Sequence, residues 1–282
     1  MKGSKQHSEN KWIKKRVKEI REIENLKYLM QLKPKLIPHV KNITNEYYYI
    51  ERCKPIEPKD FEPYKFRKIY LNLLIPLHKT KKEVFTEGIY KYYGAYSLKN
   101  TVNNQRYVPY IFNKFKKLIR NTLIQQPPWS LLKDKTFTTL LKHLKNMTRR
   151  LKDWKPTNGY SLLHGDLHIG NIVKRNNNFL LIDFEYLRYG AAELEVANLI
   201  ISCLIWYHKK NYNSDLIQMN SKYFQLYNTL PFLDAETLKL FFIFSLSLFY
   251  FSLYLRRKQS ELEILQKIIK QYLNEVLGNN HI

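Results

Sequence analysis

The chain has 282 residues, 44% of them hydrophobic and 15% aromatic, enough apolar material for one large domain or two lobes sharing an interface. Its 48 Lys and Arg against 24 Asp and Glu give a formal charge of +24, which attracts nucleotide, nucleic acid, phosphorylated polymers or an acidic membrane and argues against a polycationic substrate. An excess of Lys, Asn, Ile and Tyr is equally a compositional bias, and the charge by itself does not choose. Cys53 and Cys203 stand 150 positions apart in no metal-ligand or C-x-x-C spacing, which indicates neither a zinc site nor a disulfide framework and fits a reducing compartment.

The first ten residues, M-K-G-S-K-Q-H-S-E-N, hold no apolar core of a secretory signal, so the expected location is the cytoplasm. Residues 11–16, K-W-I-K-K-R, read as a short basic strand. Ile20, Ile23, Leu26, Leu29 and Met30 then recur at helical spacing, and Pro34 and Pro38 end that helix. The aromatic and β-branched run E-Y-Y-Y-I-E-R-C reads as a second strand. Pro55, Pro58 and Pro63 predict an irregular connector, followed by a mostly helical region to about Pro156. Between residues 160 and 183 the apolar runs S-L-L, N-I-V and F-L-L-I-D suit strands in a small hairpin, with Asn176, Asn177 and Asn178 supplying the turn. After Ala191 the pattern is helical almost to the end. Leu240 to Leu255 carries sixteen residues without a charge; it is expected to be a buried core helix, with membrane contact as the second reading.

The residues that carry chemistry are His164-Gly165-Asp166-Leu167-His168-Ile169-Gly170-Asn171, followed twelve positions after Asn171 by Asp183 in L-I-D-F-E. Phosphoryl transfer asks little covalent work of a protein; it needs an acceptor hydroxyl held in line, ligands for Mg²⁺ and positive charge on the phosphates. Asp166, in a loop after a strand, can accept a hydrogen bond from the hydroxyl and take its proton. Asn171 and Asp183 can offer hard oxygens to one metal ion.

H-G-D-L-H-x-x-N followed by I-D-F-E resembles the catalytic-loop and metal-loop pair of the aminoglycoside phosphotransferase and choline kinase family. The resemblance implies an α+β, protein-kinase-like two-lobed fold with a small, truncated N-terminal β-containing lobe and a mainly helical C-terminal lobe. It implies ATP and Mg²⁺ as cofactors, Asp166 as the catalytic Asp, and Asn171 and Asp183 as metal ligands. His164 is expected to brace the loop, His168 to line the site or pack beside it, and Glu185 to join the metal shell or stay solvated. Glu195 occupies the place where the family has an Asp that fixes the catalytic loop.

The resemblance also asks for a phosphate-pairing Lys on a strand and a Glu on the next helix. Lys14 and Lys15 are the candidates, with Lys15 preferred because it shares a strand face with Ile13; Glu22 is the preferred partner and Glu24 its rival. The backbone of Glu51, Arg52 and Cys53 is the expected adenine hinge. Only ten residues precede Lys11, with Gly3 their sole glycine, so the loop that covers the phosphates is expected to be shortened. The expected division is a nucleotide-binding lobe over 1–53 and a catalytic and substrate lobe over 54–282.

The reading is therefore an ATP-dependent phosphotransferase acting on a hydroxyl of a small molecule or glycan, such as a sugar or amino alcohol. Its rivals are a nucleotide-binding scaffold without turnover and a basic module for anionic membrane or polymer. No specific nucleic acid is expected, and peripheral membrane contact is left open.

Overall fold

The computed structural model describes residues 11–18, 20–57, 60, 62–86, 106–125, 133–156, 158–210, 216–226 and 229–278. The first ten residues, and with them the expected phosphate-covering loop and Gly3, lie outside the described residues.

Strands β1 (Trp12–Arg16), β2 (Val40–Lys41) and β3 (Tyr47–Glu51) form an antiparallel sheet in the order β1-β3-β2, with Lys15 opposite Tyr48 and Ile13 opposite Ile50. β3 alternates as its sequence requires: Tyr48 and Ile50 are buried, whereas Tyr47 and Tyr49 meet edge to face on the outer side. Helix α1 (Ile20–Leu32) lies between β1 and β2 in the chain and buries Ile23, Leu26 and Leu29. Pro34 begins a short 3₁₀ turn and prevents the helix from continuing.

The chain next forms β4 (Lys54–Pro55), then a continuous helical stretch of α2 (Pro63–Ile69), a π turn (Tyr70–Leu74) and α3 (Ile75–His78), and then β5 (Lys81–Lys82). Helices α4 (Tyr107–Gln125) and α5 (Lys135–Arg150) precede β6 (Tyr160–Leu163), β7 (Ile172–Arg175), β8 (Asn178–Leu181) and β9 (Arg188–Gly190). The expected hairpin is β7 and β8, and Asn176 takes the left-handed turn position with φ +54°. The S-L-L run departs from the expectation: β6 joins β5 and β9 in a separate sheet, and β4 adds to β7 in the order β4-β7-β8. The connector after Cys53 therefore contains a strand.

Helices α6 (Ala192–Lys210), α7 (Leu216–Gln225), α8 (Ala235–Leu255) and α9 (Gln259–Leu277) complete the helical part. The apolar run of 240–255 is the centre of α8, which Asp234 starts by accepting from Thr237 N at 2.6 Å. By length and composition α8 could cross a membrane, yet two-thirds of its most apolar window is buried inside the protein. A helix apolar all round needs neighbours on every side, and α8 has them in α5, α6 and α9. Phe115 of α4 meets Phe244 and Phe251, Phe137 of α5 stacks on Tyr250, and Tyr272 of α9 packs on Phe242. The run is thus core, as first expected; from Leu240 to Phe251 every side chain but the partly buried Phe249 is taken up inside the protein.

Phe244 is fully buried, so Phe244→Ala is expected to destabilise the fold by about 3–5 kcal/mol through lost burial and the cavity left behind. Denaturant unfolding measures this; a loss below about 1 kcal/mol would contradict a core role for α8.

Candidate active site

The segment after β6 is clamped before it reaches Asp166. Gly165 takes φ +88°, donates its N–H to Glu195 Oε1 at 2.8 Å and accepts at its carbonyl from Arg188 Nη1 at 2.9 Å. Glu195 stands in the first turn of α6, where the helix N-terminus favours an anion, and His78 Nε2 donates to its Oε2 at 2.9 Å. Burial pushes the Glu195 carboxyl upward, but the His78 bond, the nearby His78 and His164 rings and the Gly165 N–H together hold it below the usual carboxylate range. The longer side chain at this place therefore still fixes the loop backbone.

His164 Nε2 donates to the Ile182 carbonyl at 2.8 Å and its ring packs on Phe184, which ties the loop to the end of β8. The same two segments meet again where Ile182 N donates to the Asn171 carbonyl at 3.0 Å, so Asn171 and Asp183 emerge side by side. The Asn171 side chain donates its Nδ2 to the Asp166 carbonyl at 2.9 Å, which turns its Oδ1 away from that contact. His168 Nδ1 accepts from Gly170 N at 3.0 Å and caps the 3₁₀ turn Ile169–Asn171, so it shapes the loop. Asp183 takes φ +70°, a left-handed conformation uncommon for a residue other than glycine.

Across from these residues, Lys15 Nζ lies 2.8 Å from Asp183 Oδ1 and 2.7 Å from Glu22 Oε1. Lys14 instead sits over the Tyr47 ring at 4.0 Å, and Glu24 is on the exposed side of α1. Of the two lysines and two glutamates considered, the structure brings Lys15 and Glu22 to Asp183. Burial works against the Lys15 charge, but the neighbouring Tyr48 oxygen and the bonds to Asp183 and Glu22 outweigh it and raise its pKa. Burial likewise opposes the Asp183 charge, and the Lys15 bond and the charges of Lys15, Lys18 and His164 overcome that and lower its pKa. Tyr48 Oη donates to Glu22 Oε1 at 2.8 Å and completes the support of this buried carboxylate.

α1 touches the metal-loop side at three successive positions of one face. Glu22 reaches it through Lys15, Asn25 Nδ2 donates to the Phe184 carbonyl at 2.8 Å, and Tyr28 Oη shares a 2.9 Å hydrogen bond with Tyr189 Oη. Glu185 is buried with its Oε1 3.6 Å from Lys18 Nζ. At the expected hinge, the N–H groups of Glu51 and Arg52 are donated to His39 O and Lys11 O, each at 2.8 Å. The Glu51 carboxylate lies 2.9 Å from Arg175 Nη1, and Cys53 is half-buried.

His78, Asn25 and Arg188 are site-supporting residues that no sequence motif marked; each comes from a stretch with no local signature. Among the described residues no three His, Cys, Asp or Glu side chains gather into a metal cluster.

A sequence profile of the ecdysteroid kinase-like family matches residues 76–230, which contain the whole segment from His164 to Glu195. The chain belongs to the ecdysteroid kinase-like family. Its fold is that of the protein-kinase-like small-molecule kinases, with a small N-terminal sheet region and a mostly helical C-terminal part. The apo form of a thermostable mutant of aminoglycoside phosphotransferase APH(4)-Ia is similar with a TM-score of 0.58 and 13% identity, over 96% of this chain and 88% of that one. An ethanolamine kinase of Plasmodium vivax is similar with a TM-score of 0.55 and 15% identity, over 93% of this chain and 75% of that one. No curated protein matches the chain in sequence. As an ecdysteroid kinase-like protein the chain is a kinase that phosphorylates hydroxyls of small molecules.

Glu195→Ala removes the acceptor of two buried hydrogen bonds and leaves His78 and the Gly165 N–H unanswered, so a loss of about 3–5 kcal/mol in denaturant unfolding is expected; a loss under about 1 kcal/mol would contradict the clamp. The folded Asp183 has a lowered pKa, so its stabilising contribution is present above the ordinary aspartate value of 3.8 and is lost as pH falls through the folded value. In metal-free buffer the wild type should therefore lose stability more steeply below that pH than Asp183→Asn, as thermal unfolding across the acid range would report. Parallel curves would contradict the pairing with Lys15.

Proposed function

We propose that the chain transfers the γ-phosphoryl group of ATP, with Mg²⁺, to a hydroxyl of a neutral or anionic small molecule. The observation that carries this reading is the continuous contact from Glu22 through Lys15 to Asp183, with Asn171 beside Asp183 and its amide on the backbone of Asp166. In this reading Asp166 accepts the hydrogen bond of the acceptor hydroxyl and receives its proton, holding the oxygen in line with the phosphorus.

Asn171 Oδ1 and the Asp183 carboxylate would hold the metal. The donor set fits: both are hard oxygens, and the lowered pKa keeps Asp183 ionised at neutral pH. Two protein ligands, with no larger carboxylate cluster among the described residues, suit an ion that takes its remaining ligands from phosphates and water. When bound, the metal supplies positive charge on the phosphate oxygens. Lys15, positioned by Glu22 and Tyr48, would pair with the phosphates.

Since the N–H groups of Glu51 and Arg52 are committed to neighbouring backbone, adenine recognition in the proposed hinge falls to Cys53 and to carbonyls of this segment. The proposed lobes, 1–53 and 54–282, meet at that point, and β4, directly after it, already belongs to the β7–β8 sheet. The +24 charge supports an uncharged or acidic acceptor over a polycation. The family name and the similar ethanolamine kinase suggest a panel of ecdysteroids, other polyols, sugars, amino alcohols and glycans.

The test is acceptor-dependent ADP production by the purified protein with ATP and Mg²⁺ across that panel. Asp166→Asn and Asp183→Ala are each expected to lower turnover by about 10²–10⁴-fold while the fold persists. Undiminished turnover in Asp166→Asn would sink the assignment.

A further inference from the structure

The positive charge of this chain is not spread evenly. Residues 106–155 contain 13 Lys and Arg against two Asp and no Glu, a balance of +11, so fewer than a fifth of the residues hold nearly half of the +24. A general compositional bias would distribute the excess along the chain. Both acids of the stretch are engaged: Asp134 caps α5 and accepts from Tyr250 Oη, and Asp153 pairs with Arg106 at 2.7 Å.

The fold turns this stretch into a layer. α4 and α5 both lay their apolar sides on α8, through Phe115 on Phe244 and Phe137 on Tyr250, and neither helix carries an acidic residue. What faces outward is basic. On α5 the exposed cations are Lys135, Lys142, Lys145, Arg149 and Arg150; the first four lie at helical spacing along one face about 21 Å long, and exposed Lys152 continues beyond the helix end. α4 adds the exposed cations Lys116, Lys117 and Arg120.

We propose that this two-helix basic layer docks the enzyme on a bilayer surface rich in acidic headgroups. Charge complementarity argues for the occupant, since cations clustered on one face are what an acidic leaflet attracts. Among the described residues none of the large apolar side chains exposed on the surface falls between 106 and 155, so the described part of the face offers no exposed large apolar side chain to insert into hydrocarbon and no exposed aromatic to stack on unpaired bases. The contact is electrostatic and superficial. α8, the helix with a membrane-like composition, stays in the core beneath the basic layer.

Sedimentation with phosphatidylcholine vesicles, with and without roughly 30% phosphatidylserine, tests this at low and raised salt. The intact chain is expected to bind the acidic vesicles alone, and less as salt rises. Lys142→Glu/Lys145→Glu/Arg149→Glu should weaken that binding by about tenfold or more. Lys258→Glu/Lys267→Glu/Lys270→Glu makes the same change of charge on exposed positions elsewhere and should leave binding within about twofold. Both triple variants are checked for an unchanged unfolding midpoint. Equal losses in the two variants, retained binding in the first, or no binding to acidic vesicles would each overturn the proposal. So would preferential binding of a DNA duplex lost in the first variant alone, which would make nucleic acid the partner.

Discussion

A carboxylate that is 1% exposed cannot stand without a partner, and Glu22 meets this requirement through Lys15 Nζ at 2.7 Å and Tyr48 Oη at 2.8 Å. The same ammonium also holds Asp183, so one cation balances two carboxylates that arrive from a helix of the N-terminal part and from the end of β8. Two neighbouring elements, β1 and α1, and a segment 168 positions further along the chain are fixed at a single nitrogen. The remaining site geometry rests on this arrangement, because Asp183 is held in a left-handed backbone conformation that its surroundings must enforce. Asn25 and Tyr28 repeat the attachment one and two turns further along α1. A shift of α1 would therefore move the loop that carries Asp183, and this seam is a direct mechanical link between the N-terminal sheet region and that loop.

The loop that carries Asp166 is held by a different principle. Asp166 follows a backbone whose N–H and carbonyl are both bonded to buried side chains, Glu195 and Arg188. Those side chains are fixed to elements anchored on the large helical core, so the loop takes its rigidity from α6 and from the aromatic packing around α8. A loop supported this way needs little order of its own.

Local patterns were legible in the sequence, and long-range pairings were not. The spacing of Asp166, Asn171 and Asp183 could be read because all three lie within eighteen consecutive residues of loop and hairpin, whereas the outside partners that fix them, Lys15, Glu195 and Arg188, could not. The aromatic and β-branched run at Tyr47–Glu51 announced β3, and the unbroken apolar run of 240–255 announced a core helix, although its cap at Asp234 extends it five residues earlier. β5 and β4 are two-residue strands with no periodicity to detect, and their partners lie about eighty and a hundred and twenty positions away. The S-L-L run reads as part of the hairpin for this reason, since nothing local reveals β5 or β9. His78 is a lone histidine at a helix end and Asn25 a single polar residue on an apolar helix face; their roles exist only once Glu195 and Phe184 are placed beside them.

The most direct test of the account is a crystal structure of the protein with Mg²⁺ and a non-hydrolysable ATP analogue. The account predicts a metal ion between Asn171 Oδ1 and the Asp183 carboxylate, with Lys15 turned from Asp183 toward the phosphates and still bonded to Glu22. Nucleotide bound elsewhere, with Lys15 unmoved between Glu22 and Asp183, would contradict it.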